Sequence, residues 1–264
     1  MRITKLGALL LGAAALCVSG CHPGNLEARR LRESCASGTA KACNDYGIKL
    51  VKGEYVLRDE GTAARVFEQS CKASIADGCA RLGALYQGGR GVERDSVRAA
   101  RFYQQGCSGG AIDGCTRLGV LYREGNGVAK DPARAANLFE RACSSADSIA
   151  CSNLGELLAA GTGVAKDAER AGKLFQQACD KKVAPGCRGL GLLTLAGNGI
   201  AQSDVRAAEL FKKACDADDG AACFQLGNLH AAGKGVLQDL DKATSLKWQA
   251  CRYGYADACP KRNR

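Results

Sequence analysis

The chain has 264 residues, of which 24% are charged and 5% aromatic, and its formal net charge at pH 7 is +10. The basic residues are scattered and are not interleaved with aromatic residues, so the composition gives no support for a nucleic-acid partner. The low aromatic content and the 34 glycines favour closely packed helices over one large globular core.

The N-terminal segment has the features of an export signal. Arg2 and Lys5 precede an uncharged apolar run over residues 6–18, which is the order of a secretory signal. This run is too short to span a bilayer comfortably. It ends in Val-Ser-Gly-Cys at residues 18–21, which resembles a bacterial lipobox.

The lipobox-like sequence predicts how the N-terminus is processed. We expect residues 1–20 to be removed as a lipoprotein signal peptide, so that Cys21 carries a lipid. Residues 21–25 would then tether the protein to a membrane. In a host with two membranes, His22 gives no Asp-type inner-membrane retention signal, so an outer-membrane or periplasmic location is favoured. An ordinary cleaved signal followed by a chance cysteine is the alternative.

The remaining cysteines follow a strict repeat of seven pairs. The two cysteines of a pair have seven residues between them, and the pairs recur every 36 residues without an insertion. Because an exported protein folds in an oxidising compartment, such spacing predicts a disulfide framework. Zinc is the competing use, but the sequence has no Cys-x-x-Cys and two histidines, so we expect no metal site and no cofactor. The predicted bridges are Cys35–Cys43, Cys71–Cys79, Cys107–Cys115, Cys143–Cys151, Cys179–Cys187, Cys215–Cys223 and Cys251–Cys259.

Each 36-residue unit predicts two helices. From Cys79 onward, apolar residues recur at spacings of three and four until a glycine-rich stretch over residues 88–92, where a helix can close. Asp95 then supplies an N-cap for a second helix, whose buried stripe includes Ala99 and Tyr103. We call the first helix of each unit helix A and the second helix B. A predicted bridge joins the end of helix B to the start of the next helix A.

The repeats predict the domain organisation. We expect one repeat array over residues 26–259, with an N-terminal capping helix over residues 26–42 and a basic tail over residues 259–264. The first full unit departs from the pattern, as expected of a capping repeat that faces water on one side. The six repeats between cap and tail cover residues 43–78, 79–114, 115–150, 151–186, 187–222 and 223–258.

The repeat pattern resembles a known family. Residues 82–102 follow Leu-Gly-x-Leu-Tyr-x-x-Gly-x-Gly-Val-x-x-Asp-x-x-Arg-Ala-x-x-Phe, which resembles the Sel1-like repeat, a relative of the tetratricopeptide repeat. With a cysteine pair in every unit, the chain is also similar to the Helicobacter cysteine-rich protein family. The resemblance implies an all-α fold, an α-solenoid of stacked antiparallel helix pairs with a long concave surface.

Helix A is expected to line the concave surface, by analogy with tetratricopeptide arrays. The residues that its own packing leaves free lie one, five and eight positions after the second cysteine of each bridge. These residues differ between units while the frame stays fixed, as a recognition groove requires, although unconstrained surface positions would vary too. The candidate binding residues are Arg123, Glu156, Arg188, Leu192, Leu195, Phe224 and Asn228.

The sequence is consistent with two functions. The first is an exported, lipid-anchored and monomeric scaffold that binds a protein or a peptidoglycan-derived ligand through its concave surface. The second, implied by resemblance to the cysteine-rich family, is a β-lactamase or penicillin-binding hydrolase. The serine β-lactamase elements Ser-x-x-Lys, Ser-Asp-Asn and Lys-Thr-Gly do not occur, so no catalytic residue is assigned. His230 occupies the place of Tyr86 and Tyr122 in other units, and we expect it to be a packing residue.

Overall fold

The computed structural model describes residues 22–259, which form α-helices and one short 3-10 helix without any strand in that range. The predicted signal peptide and the lipid-bearing Cys21 lie outside the described residues, as do residues 260–264 of the predicted tail. Within the described range, no helix combines the length and the apolar character needed to cross a bilayer.

The chain divides into two compact units after residue 95. In the first unit, α1, α2, α3 and α4 cover Pro23–Ala36, Ala40–Lys52, Glu60–Lys72 and Ala76–Gly88. In the second unit, α5 to α13 cover Ser96–Ser108, Ile112–Glu124, Pro132–Ser144, Ser148–Ala160, Ala168–Asp180, Ala184–Ala196, Asp204–Cys215, Gly220–Ala232 and Leu240–Arg252, and the 3-10 helix covers Ala256–Ala258. The even-numbered helices are the A helices and the odd-numbered helices are the B helices.

Within each unit, the helices pack as adjacent A and B pairs, which confirms the predicted all-α solenoid fold. Close packing of each pair depends on the glycine in helix A. A Cβ atom on Gly119 of α6 would lie 2.6 Å from the ring of Phe139 in α7, and Phe139 is fully buried. Gly155 makes the same approach to Phe175 in the next pair. Because the glycine has no side chain, the large ring fits between the two helices, and Gly191 faces Phe211 in the same way in the following pair.

The turn from helix A to helix B also depends on glycine. After α6, Gly125 adopts φ 76° and its N–H donates to the carbonyl oxygen of Leu121 at 2.8 Å, which closes the helix. The second glycine, Gly127, has φ 72°, and a Cβ atom there would lie 2.2 Å from the backbone oxygen of Ser96. The turn therefore lies directly against the start of the preceding helix B.

All seven predicted bridges are present, and the Cα atoms of each pair lie 4.5–4.8 Å apart. Each bridge joins the last turn of a helix B to the first turn of the following helix A or, at the C-terminal end, to the residue that follows the 3-10 helix. The third residue after the first cysteine has a positive φ in every bridge loop. In the second unit these residues are Gly110, Ala146, Lys182, Asp218 and Gly254.

The start of α1 differs from the prediction. The helix begins at Pro23, so the tether predicted over residues 21–25 is helical from residue 23. Proline is favoured at the first helical position, and the Nδ1 atom of His22 accepts a hydrogen bond from the N–H of Gly24 at 3.1 Å. These two features begin the helix earlier than the apolar pattern alone indicates.

Candidate functional site

The seven candidate binding residues all lie in the second unit, on four successive A helices. We call this set the A-helix surface. Arg123 is in α6, Glu156 is in α8, and the others are in α10 and α12. The neighbouring A helices α8 and α10 contact each other directly. Side chains from different repeats therefore meet on this face.

A network of charged side chains crosses the A-helix surface. The Nη1 atom of Arg123 donates to Asn153 Oδ1 at 2.8 Å and to Glu156 Oε2 at 3.2 Å. The other oxygen of Glu156 accepts from Arg188 Nη2 at 3.3 Å, and Arg188 Nε donates to Asp219 Oδ2 at 3.0 Å. The network thus joins α6 to the residue that precedes α12, and each link reaches from one helix A to the next or to the residue that caps it.

The network is partly shielded from water. The side chains of Arg123, Glu156, Arg188 and Asp219 are 28%, 37%, 27% and 10% exposed. Exposed ion pairs contribute about 0–1 kcal/mol, and hydrogen bonds to charged groups contribute more as water is excluded. Asp219 has a second task, because its Oδ1 atom accepts from the N–H of Ala222 at 2.9 Å and caps α12. The guanidinium group of Arg188 is consequently fixed against the start of a helix.

The residue one position after the second cysteine contacts the residue that precedes the next helix A. Thr116 Oγ1 donates to Asp147 Oδ2 at 2.7 Å, across a separation of 31 residues. Arg188 and Asp219 have the same separation. The prediction that packing leaves this position free is therefore wrong, because the residue before the next helix A packs on it.

Phe224 occupies the same position after Cys223 and makes an apolar contact there. Its ring centroid lies 5.2 Å from that of Tyr255, and the Nζ atom of Lys247 lies 5.7 Å from its ring centroid. Phe224 is half-buried and packs against the core. Its contribution to a binding surface is therefore limited to the exposed part of the ring.

The accessible apolar part of the A-helix surface lies on α10. Leu192 is 39% exposed, whereas Leu195 is half-buried and packs against the core. Asn228 in α12 is half-buried on the same register as Leu192, one repeat later. The surface thus presents an apolar strip beside fixed guanidinium and carboxylate groups.

This arrangement offers binding groups rather than an assembled reaction centre. Arg123 and Arg188 keep further N–H donors beyond those used in the network. Among residues 22–259, no group of three or more His, Cys, Asp or Glu side chains is placed to hold a metal ion. His230 is buried, as expected of a packing residue, and its Nδ1 atom lies 3.3 Å from the carbonyl oxygen of Leu237.

Sequence reasoning missed Asn153, Asp147 and Asp219, which hold the predicted residues in place. Asp147 and Asp219 precede helices, where they are also expected as N-caps. Their second role shows only when residues 31 apart in the sequence are compared. Thr116 with Asp147 and Arg188 with Asp219 are hydrogen-bonding pairs at that separation.

Comparison with known proteins finds repeat proteins of one kind. The Sel1 repeat family model matches five consecutive segments, residues 76–110, 112–147, 148–183, 184–219 and 220–248. No curated protein sequence matches the chain significantly.

Three solved structures illustrate the similarity. The protective antigen c5321 of uropathogenic Escherichia coli, described as having an SLR fold, is 26% identical with a TM-score of 0.75 over 88% of this chain. The match covers 50% of that structure, so this chain spans about half its length. A Sel1 repeat protein from Oxalobacter formigenes is 20% identical, with a TM-score of 0.76 over 92% of this chain and 99% of that one. Cysteine rich protein B of Helicobacter pylori is 29% identical over 49% of this chain and 93% of that one, with a TM-score of 0.40.

Proposed function

Because the chain belongs to the Sel1 repeat family, we propose that it is an exported, lipid-anchored and monomeric scaffold that binds another protein through the A-helix surface. Sel1 repeat proteins typically mediate protein interactions. A repeat frame supplies such a surface without a catalytic centre, because neighbouring units place their side chains side by side.

The observation that carries the proposal is the network from Arg123 through Glu156 to Arg188. Contacts between repeats hold these side chains in place before a partner binds. Ordering flexible side chains costs about 0.5–1.5 kcal/mol each on association, so groups that are already held lose less on binding. The exposed part of Leu192 lies beside them and provides apolar area for a partner.

The proposed partner contributes a segment of matching chemistry. An apolar side chain of the segment would cover Leu192 and Leu195. Acceptor groups, such as backbone carbonyl oxygens or a carboxylate, would take the remaining N–H donors of Arg123 and Arg188. The charges of the network are of both signs, so net charge contributes little and shape with hydrogen bonding decides the fit.

Export and lipid attachment rest on separate observations. Seven disulfides among residues 22–259 indicate an oxidising compartment, and the described range contains no free cysteine. Cys21, as the lipid-bearing residue, would stand two positions before the start of α1 and hold that helix close to a membrane. Replacing Cys21 by Ala should release the protein from membranes and prevent incorporation of labelled palmitate.

Site-specific crosslinking in the native envelope tests the binding surface. A photoreactive phenylalanine derivative replaces Leu192, and the matched control replaces Val97, which is 66% exposed on helix B α5. We expect a discrete protein adduct from position 192 that the control does not form and that Glu156→Arg reduces. Equal adducts from both positions, or adducts with glycan strands instead of protein, would contradict the proposal.

No feature of residues 22–259 favours the β-lactam hydrolase that the sequence resemblance also implies.

A further inference from the structure

The opposite side of the second unit carries three equivalent grooves between successive B helices. The first groove lies between α7 and α9, the second between α9 and α11, and the third between α11 and α13. The first and third contain cavities of about 290 and 420 Å³. Most residues that line the first have a counterpart lining the third two repeat periods later. The two cavities are therefore the same structural position with different side chains.

Polar side chains bridge the first two grooves. Arg170 Nη2 donates to Glu140 Oε1 at 2.6 Å across the first groove, whose floor includes the buried Leu158. In the second groove, Arg206 Nη2 donates to Gln176 Oε1 at 3.0 Å. These pairs are 30 residues apart, so the repeat itself places them together.

The third groove cannot form this bridge. The equivalents of Glu140 and Arg170 are Lys212 and Lys242, and both line the larger cavity. Two ammonium groups repel each other instead of pairing. The equivalent of Leu158 on the floor is His230. The positions that hold a bridging ion pair and a leucine in the first groove therefore hold two lysines and a histidine in the third.

The two lysines and two acids that line the third groove balance in charge, so a negative charge on a ligand is favoured at one place, beside Lys242. Lys212 Nζ is already paired with Asp216 at 2.6 Å on its own helix. Lys242 has no ion-pair partner among residues 22–259. The acids Glu209 and Asp216 also line the cavity, and they disfavour a ligand with two negative charges.

The remaining walls are apolar or hydrogen-bonding. Val205, Ala208, Val236 and Leu246 line the cavity. The Nδ1 atom of His230 faces the carbonyl oxygen of Leu237, which can only accept, so the ring proton is on Nδ1 and the Nε2 atom has no partner within the described range. A volume of about 420 Å³ lies within the usual range for small-molecule sites, about 300–1,000 Å³.

We propose that the third groove binds a small amphipathic carboxylate, with its carboxylate group at Lys242 and its apolar body against Val205, Val236 and Leu246. The groove shares no residue with the A-helix surface. The two sites can therefore be disrupted separately, and failure of one proposal leaves the other standing.

Octanoate is a suitable probe because it combines one carboxylate with an apolar chain. Titration is followed by NMR through the imidazole resonances, which are few because the sequence has two histidines. We expect saturable shifts of the His230 resonance and affinity about tenfold or more above that of octanol, which lacks the charge. Absence of saturable binding, or equal affinity for octanol, would overturn the proposal.

Two variants and a control locate the site. Lys242→Gln should weaken octanoate binding about tenfold or more, because it removes the paired charge. The double variant K212E/K242R should do the same by restoring the bridge that closes the first groove, with circular dichroism confirming that the helices remain folded. The matched control, Lys234→Gln, removes an exposed lysine outside the cavity and should leave the affinity unchanged. Unchanged binding in both groove variants would contradict the assignment.

Discussion

The two sides of the second unit use the same repeat period differently. On the A-helix surface, polar pairs that link successive A helices continue to Asp219, at the start of the last helix A. In the grooves between B helices, the two facing side chains form an ion pair in the first groove and a hydrogen bond from arginine to a glutamine amide in the second. In the third groove both side chains are lysines. A constant frame therefore brings equivalent positions together, and departures from the pattern identify the sites that differ.

The largest expected effect comes from damaging the frame that both sides share. Phe175 is 2% exposed and lies against Gly155 of α8 and Gly189 of α10. Phe175→Ala should lower the free energy of unfolding by about 3–5 kcal/mol, because it leaves a cavity between two A helices. Urea denaturation measures the loss. Val205→Ala, at an exposed position, is the control, and an equal loss in both variants would contradict this packing.

A change at Asp219 separates the network on the A-helix surface from helix capping. Asp219→Ala should cost about 1–2 kcal/mol in unfolding free energy, since it removes the cap of α12 and the partner of Arg188. Asp219→Asn keeps a capping oxygen and should cost less than the alanine variant. If Asp219→Asn were as stable as the wild-type protein in urea denaturation, the charged pairing with Arg188 would carry no energy.

The sequence predicts the frame well because the 36-residue period admits one arrangement of helices and bridges. It predicts the A-helix surface less well. The pattern within one helix A leaves the residues at Arg188 and Phe224 free, but the residue that precedes the next helical segment packs on each of them. Periodicity within a helix does not reveal this contact, because the partner lies 31 residues later in the sequence. The same limit applies to the third groove, whose character appears only when Glu140 is compared with Lys212.

A smaller effect is expected in the bridge loops, away from both sides. Ala146 has φ 65°, whereas its equivalent one repeat earlier is Gly110. Ala146→Gly should raise the unfolding free energy by about 0.5–1 kcal/mol, because glycine adopts the left-handed conformation without strain. Gly110→Ala should lower it by a similar amount. Opposite signs in urea denaturation are required; a destabilised Ala146→Gly would contradict the strain argument.

The smallest effect is expected from exchanging the groove pairs. E140K/R170K should destabilise the protein by about 0–1 kcal/mol, since the pair is exposed to solvent, and K212E/K242R should change its stability by less, because the new pair replaces the ion pair of Lys212 with Asp216. Added salt should reduce both differences. Thermal unfolding at low and high ionic strength provides the measurement. A salt-independent difference would show that packing, and not charge, distinguishes the grooves.

The most direct test of the A-helix surface uses the partner protein that crosslinks at position 192. Its affinity for the purified wild-type protein is compared with its affinity for the Glu156→Arg variant. Glu156→Arg places three guanidinium groups together and disperses the network. The control is Glu169→Arg, the same change on the exposed side of α9. We predict a loss of about tenfold or more for Glu156→Arg with both variants folded, and wild-type affinity for Glu169→Arg. Equal affinity of all three proteins would contradict the proposed binding surface.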